Sequence, residues 1–209
     1  MTAFDLFSIG HSNIPAERFV AMLRAANVGA IADVRSTPGS RFCPWFSAKN
    51  FAPLLAREGV DYSYYGDALG GRPRGQNLYC DGIADYEAMA RQPDFKAGIQ
   101  RLLGDVERRA NGHICVMCAE RDPLDCHRCL LVGRALAERG MIIGHILHDG
   151  TVEPQKAIEQ RLLELDAADI VSSDLFATGQ DDQLAAAYRR RARSVAYRSK
   201  GAQLSKKGS

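Results

Sequence analysis

Five short apolar runs, FDLFSI, GAIADV, VDYSYY, HICVMC and MIIGHIL, are separated by stretches whose apolar residues recur at helical spacing. This alternation limits the chain to few architectures, because parallel strands need crossover connections and helices fill them. The first crossover is a helix from Pro15 to Ala26, in which Phe19, Met22, Leu23 and Ala26 share a face. The second is SAKNFAPLLARE, with Ser47 placed as N-cap, Gly59 as stop and Pro53 expected to shorten or kink it. ADYEAMAR and 93–109 are helical, as is 125–139, closed by Gly140. Right-handed crossovers make this an α/β three-layer sandwich with a mostly parallel sheet of about five strands. The strand order does not follow from the pattern. EPQKAIEQRLLEL and 181–191 add C-terminal helices. The expected organisation is an α/β catalytic-type domain over 1–150, a helical extension packed on it over 151–187, and a basic, disordered tail over 188–209.

A chain of 209 residues buries a sizeable core without metal or disulfide staples. Forty-six per cent hydrophobic and 25% charged residues suit a soluble protein, and no run of about 18 apolar residues spans a bilayer. MTAFDLFSIG lacks the basic and apolar regions of an export signal, so the expected location is cytoplasmic, with no membrane partner. In a reducing compartment the six cysteines are free thiols, metal ligands or catalytic groups rather than disulfides. The net charge of +2 conceals an asymmetry: from Tyr188 onward there are eight Arg or Lys and no acid.

Open parallel sheets bind ligands at the carboxyl ends of their strands. There the first strand is followed by Gly10, His11, Ser12 and Asn13, and the second by Asp33, Arg35 and Ser36, with Arg41 beyond. The third leads to Gly70, Gly71, Arg72 and Arg74, the fourth to Cys118, Glu120, Arg121, Cys126, His127 and Arg128, and the fifth to His148 and Asp149. Ser12 or Asn13 could instead cap the first helix. Asp33 and Arg35 share a strand face, which suits either a structural ion pair or a catalytic carboxylate. The arginines match anionic oxygens, above all Arg35 and Arg128. No G-x-x-x-x-G-K-[ST] is present, nor G-x-G-x-x-G after the first strand. Tyr62 and Tyr64 are assigned to the core by strand alternation, whereas Trp45 and Tyr79 are open between core and ligand stacking.

Cys115, Cys118, Cys126 and Cys129 form two C-x2-C pairs, a pattern that suggests zinc. An offset of three in a strand turns Cys115 away from Cys118, which weakens a four-cysteine clip. A smaller zinc set of Cys118, Cys126 and His127 is open, and so is a reactive thiolate, since Cys126 would open a helix beside His127 and Arg128. Six residues after Cys118 stands Leu124, so the C-x5-R phosphatase loop is absent. Cys115 and Cys129 read as inert core residues.

SIGHSN, ADVRSTPGSR, ALGGRPR, DYEAMARQPDF and MCAERDPLDCHR, with HIL some twenty residues later, together resemble the family called domain of unknown function 488, from Phe7 to Leu147. The resemblance implies that Gly10, His11, Ser12, Asp33, Arg35, Ser36, Gly70, Gly71, Cys118, Glu120, Cys126, His127 and Arg128 belong to a shared site. It leaves Cys115 and Cys129 outside. It further implies an α/β fold and a link to nucleic-acid or nucleotide metabolism.

The leading expectation is a hydrolase or transferase acting on a phosphate-bearing nucleotide or nucleic acid, without cofactor. Arg35 and Arg128 hold the anion, helped by Ser12, Ser36, Gly70, Gly71 and Arg72. Asp33 or Glu120 is general acid/base, His11 or His127 is proton donor or orienter, and water, Cys118 or Cys126 is the nucleophile. The rival is a non-catalytic nucleic-acid-binding protein whose arm is Arg189, Arg190, Arg191, Arg193, Lys206 and Lys207. A weaker alternative is a thiol/redox or zinc protein built on Cys118 and Cys126.

Overall fold

A computed structural model describes residues 3–169 and 179–199. The five expected strands all form: β1 (Leu6–Gly10), β2 (Val28–Asp33), β3 (Asp61–Tyr64), β6 (His113–Cys118) and β7 (Ile143–Ile146). Between them lie α1 (Ala16–Ala25), α2 (Ala48–Arg57), a short α3 (Gly66–Leu69), a two-stranded hairpin of β4 (Tyr79–Cys80) and β5 (Ile83–Ala84), α4 (Tyr86–Ala90) and α5 (Pro93–Arg108). A π-helical segment (Arg128–Gly133) running into α6 (Arg134–Ala137) joins β6 to β7. Then follow β8 (Val152–Pro154), α7 (Gln155–Asp169) and α8 (Gln180–Val195).

The main sheet has six strands in the order β3-β2-β6-β1-β7-β8, with β8 alone antiparallel. The sixth strand pairs only three residues on the β7 edge, too short to register as an alternating pattern, and Pro154 suits an edge that need not donate. The hairpin closes the Gly- and Arg-rich stretch GDALGGRPRGQNLYCDG, which carries no strand or helix periodicity. Its turn residues Asp81 and Gly82 both have positive φ, the D-G signature of a two-residue hairpin.

Two hydrophobic cores cover the two faces of the sheet. On one face Phe7, Ile9, Ile31, Cys115 and Met117 pack against Phe19 and Leu23 of α1 and Phe51 and Leu55 of α2. On the other, Leu6, Ala32, Ile114, Val116 and Cys118 meet Ile99 and Leu102 of α5, Leu130 to Leu136, and Ile158 and Leu162 of α7. Strands buried on both faces need continuous apolar sequence, which is why HICVMC has no polar alternation. The same period of two sends Cys115 into one core and Cys118 into the other, so no four-cysteine clip can form.

The α2 helix runs through Pro53 without a break, and Ser47 stands at its N-cap without a side-chain bond to the helix. Ser12 and Asn13 do not cap α1, because the helix starts after Pro15, whose fixed φ sets the first turn. No helix among the described residues is long and apolar enough to cross a membrane.

The expected boundary at Tyr188 is not structural. Residues 180–195 form one continuous helix, in which Ala187 and Tyr188 are buried, and Ala196 beyond it joins the same core. The chain then lays Tyr197 and Arg198 against β5: Ala84 N–H donates to the Tyr197 carbonyl at 2.9 Å, and Ile83 bridges to Arg198. The charge run therefore belongs to the end of a packed helix and to the short bridged segment after it. Lys206 and Lys207 lie outside the described residues.

Candidate functional site

The connection leaving β1 runs through α1 on one face of the sheet, and the connection leaving neighbouring β6 runs through the π-helical segment and α6 on the other. Oppositely directed connections from adjacent strands leave a crevice at their carboxyl ends, the place where α/β sheets bind ligands. A cavity of about 620 Å³ occupies it. The β1–β6 ladder continues past both strands, with His11 N–H donating to the Cys118 carbonyl at 2.9 Å and Ser12 N–H to that of Ala119 at 2.8 Å. This fixes the two loops side by side.

Of the residues singled out in the sequence, His11, Arg35, Ser36, Gly71, Arg72, Cys118, Glu120, Cys126 and His127 line this cavity. Asp33 does not. It is fully buried and accepts from Arg35 Nε at 2.9 Å, Arg35 Nη2 at 2.6 Å and Tyr62 OH at 2.6 Å. With its oxygens occupied by fixed donors, Asp33 is a structural ion pair that aims Arg35. Arg35 keeps Nη1 for the cavity side, 3.2 Å from His11 Nε2. His11 Nδ1–H donates to the Ser12 carbonyl at 2.7 Å, so Nε2 accepts from Arg35, and the ring stacks on Phe46. Burial and the Arg35 charge lower the His11 pKa to about 4, leaving a neutral imidazole that orients Arg35.

Arg128 packs against the loop that follows β6. Its side chain is almost fully buried, donating from Nη1 to the Glu120 carbonyl at 2.6 Å and from Nη2 to that of Arg121 at 3.1 Å. It holds the loop after β6 and does not line the cavity. Gly10 makes room for this clamp, because a Cβ there would stand 1.8 Å from the Glu120 carbonyl oxygen. Ser12 and Gly70 lie outside the cavity lining, as do Arg41, Arg74, Arg121, His148 and Asp149. Trp45 and Tyr79 are fixed by bonds to the carbonyls of Ile14 and Pro73, away from the cavity. Tyr62 is half-buried against its core, while Tyr64 is half-buried with its hydroxyl on the Ser36 carbonyl.

The cavity floor holds the sulfur group. Cys118 ends β6, and Cys126 opens the helical run, with Leu130 N–H donating to its carbonyl at 3.0 Å and Arg128 N–H to its Sγ at 3.4 Å. His127 Nε2–H donates to the Val34 carbonyl at 2.9 Å, which turns Nδ1 toward both sulfurs, 3.6 Å from Cys118 Sγ and 3.8 Å from Cys126 Sγ. All three side chains are more than nine-tenths buried. Gly71 lets the segment after α3 cover the imidazole, since a Cβ there would lie 2.7 Å from His127 Cγ.

Burial opposes ionisation of Cys126, but the hydrogen bond from Cys118 and the charges of Arg128 and His127 outweigh it, holding its pKa well below the usual thiol range. Cys118 moves the other way, through that same hydrogen bond and burial. For His127, burial is outweighed by the adjacent Cys126 thiolate and the pKa rises. Cys115 and Cys129 are inert: burial raises both, Cys129 to about 12. Glu120 stands at the mouth, its carboxyl raised by partial desolvation and by Cys126.

Several cavity residues escaped the sequence. Thr37, Gly39 and Ser40 come from the loop after β2, Tyr86 from α4, Asp125 from the loop before Cys126, and Val195 and Tyr197 from the C-terminal segment. Tyr86 lies inside the motif DYEAMARQPDF, a signal of position without role. The α8 arginines face the body: Arg189 pairs with Glu87, Arg190 with Asp166, Arg191 with Asp125 and Arg193 with Asp81. Arg191 also donates to the Leu124 carbonyl at 3.1 Å, so α8 braces the loop that presents Cys126.

No curated protein and no solved structure matches the chain. The family model described as Domain of unknown function DUF488 matches residues 15–135, more than half of the 209 residues, and the chain belongs to that family.

Proposed function

We propose that the protein is an enzyme, a hydrolase or transferase that takes a phosphate-bearing nucleotide or nucleic acid into the cavity between the β1 and β6 loops. The observation that carries this reading is a buried Cys118–Cys126–His127 group on the floor of a polar cavity of about 620 Å³, with Arg35 and Arg72 on its wall. Such a volume lies within the range of small-molecule sites of about 300–1,000 Å³. Arg35 is neutralised by Asp33, so the charge that attracts an anion comes from Arg72. The hydroxyls of Ser36, Thr37 and Ser40 supply further donors. Glu120, at the mouth with a raised pKa, is the general acid/base, and the floor group supplies or activates the nucleophile.

Ion pairs of Arg189, Arg190, Arg191 and Arg193 with carboxylates of the body weigh against the nucleic-acid-arm alternative. The test is turnover of nucleotide anhydrides, phosphomonoesters and oligonucleotides by the full chain and by Glu120→Gln and Cys126→Ser. Each variant is expected to lose on the order of 10²-fold or more in kcat, with thermal midpoints close to wild type. Turnover indifferent to both changes, or no turnover of any of these classes, overturns the reading.

A further inference from the structure

We propose that Cys118, Cys126 and His127 are the three protein ligands of a zinc(II) ion whose fourth position opens into the cavity. The proposal deepens the enzyme reading above and rests on it for the metal's catalytic use, whereas the site itself stands on geometry.

The first argument is distance. A tetrahedral zinc, with Zn–S of about 2.3 Å and Zn–N of about 2.0–2.1 Å, separates sulfur and nitrogen ligands by roughly 3.6 Å. His127 Nδ1 stands 3.6 and 3.8 Å from the two sulfurs, and the three ligand atoms all lie within 4.8 Å of one another. The second is orientation. A metal-bound imidazole characteristically donates its other N–H to a carbonyl or carboxylate, which fixes the tautomer that leaves the ligating nitrogen bare. His127 Nε2 donates to Val34 O at 2.9 Å, and Nδ1 faces the sulfurs. Arg128 N–H donating to Cys126 Sγ at 3.4 Å is a second outer-shell contact of this kind.

The third argument is charge and donor type. Two buried thiolates facing each other repel, and without a cation one must keep its proton. A divalent ion takes the place of that proton, and thiolates with imidazole are a donor set suited to zinc. The fourth is the open position. Structural zinc sites close with four protein ligands, whereas catalytic ones keep three and bind water. Cys115, which would complete a clip, lies in the opposite core, and the three ligands border the cavity. A water bound there would have its pKa lowered by the metal and would open on the cavity that Glu120 also lines.

The test uses the full chain purified without chelator, then stripped and titrated with zinc(II) or cobalt(II). One equivalent should bind, and the cobalt form should give thiolate-to-cobalt charge-transfer absorption with tetrahedral d–d bands. Cys118→Ser, Cys126→Ser and His127→Gln should each weaken binding by about 10-fold or more, while Cys115→Ala should bind as wild type. Should the ligand variants fold poorly, alkylation of the wild type followed by mass spectrometry gives a second readout. Zinc should protect Cys118 and Cys126 and leave the exposed Cys80 reactive. Substoichiometric binding, or protection that does not reach Cys118 and Cys126, overturns the site. If binding fails while Cys126→Ser still abolishes phosphoester turnover, the metal is wrong and the enzyme reading survives. Stoichiometric zinc without turnover is the reverse.

Discussion

At the scale of single residues, charge alone does not separate a ligand contact from a fastener. Arg35, Arg72 and Arg128 carry the same group near the same crevice. Arg72 is exposed over the Tyr197 ring, whereas Arg128 is buried with Nη1 and Nη2 on two loop carbonyls. Their replacements should diverge. Arg128→Ala strips the Glu120 and Arg121 carbonyls of a charged donor and should cost about 2–3 kcal/mol in denaturant unfolding. Arg72→Ala should stay within about 0.5 kcal/mol, because an exposed side chain is lost without leaving a buried orphan. Equal losses would mean that Arg128 does not clamp the loop. Asp33 teaches the same point from the acid side. A lone acid in an apolar strand restricts the reading to pair or catalyst, and only the donors around it choose pair.

At the scale of elements, the strands were legible because burial on both faces writes them as apolar runs, and the crossover helices because one apolar stripe repeats at helical spacing. β8 was not legible, being three residues on an edge. Nor was the role of α8, whose arginines read as a tail since sequence does not reveal that Glu87, Asp81, Asp125 and Asp166 face them. A buried chain of hydrogen bonds anchors this helix. Ser8 and Gln155 hold the two nitrogens of His145, and Gln155 Nε2 donates to Tyr188 OH at 2.6 Å. Ending the chain before Tyr188 removes Tyr188, Ala192, Val195 and Ala196 from the core and Tyr197 from the cavity wall. We expect calorimetry on the truncated protein to show a midpoint lowered by ten degrees or more, on the order of several kcal/mol. A truncation that melts like the full chain would return α8 to the status of an appendage.

At the scale of the whole molecule, the fold keeps two histidines neutral, His145 within β7 and His11 just past the end of β1. His145 is fully buried and its pKa is lowered to about 4 by burial, and His11 is likewise lowered to about 4. The unfolded chain binds these protons near pH 6.5 and the native one only near pH 4, so the unfolded state takes up more protons in that window. Their stabilisation is therefore present above about pH 6.5 and is lost as pH falls toward 4. Urea unfolding across this range should show falling stability, and His145→Gln, if folded, should flatten the slope. An unchanged slope would mean that His145 does not resist protonation.

The α/β layering, the five parallel strands, the rim that gathers the candidate residues and the separation of Cys115 from Cys118 are all written in the sequence. All of these follow from local periodicity, which a chain carries wherever it folds. Tertiary structure decided the strand order, the pairing of Asp33 with Arg35, the inward clamp of Arg128 and the wall supplied by α8. It also decided the meeting of His127 with two sulfurs that enter from a strand end and a helix start. Each of these depends on which distant atoms stand within about 4 Å, and a buried polar group takes its role from those partners rather than from its own identity.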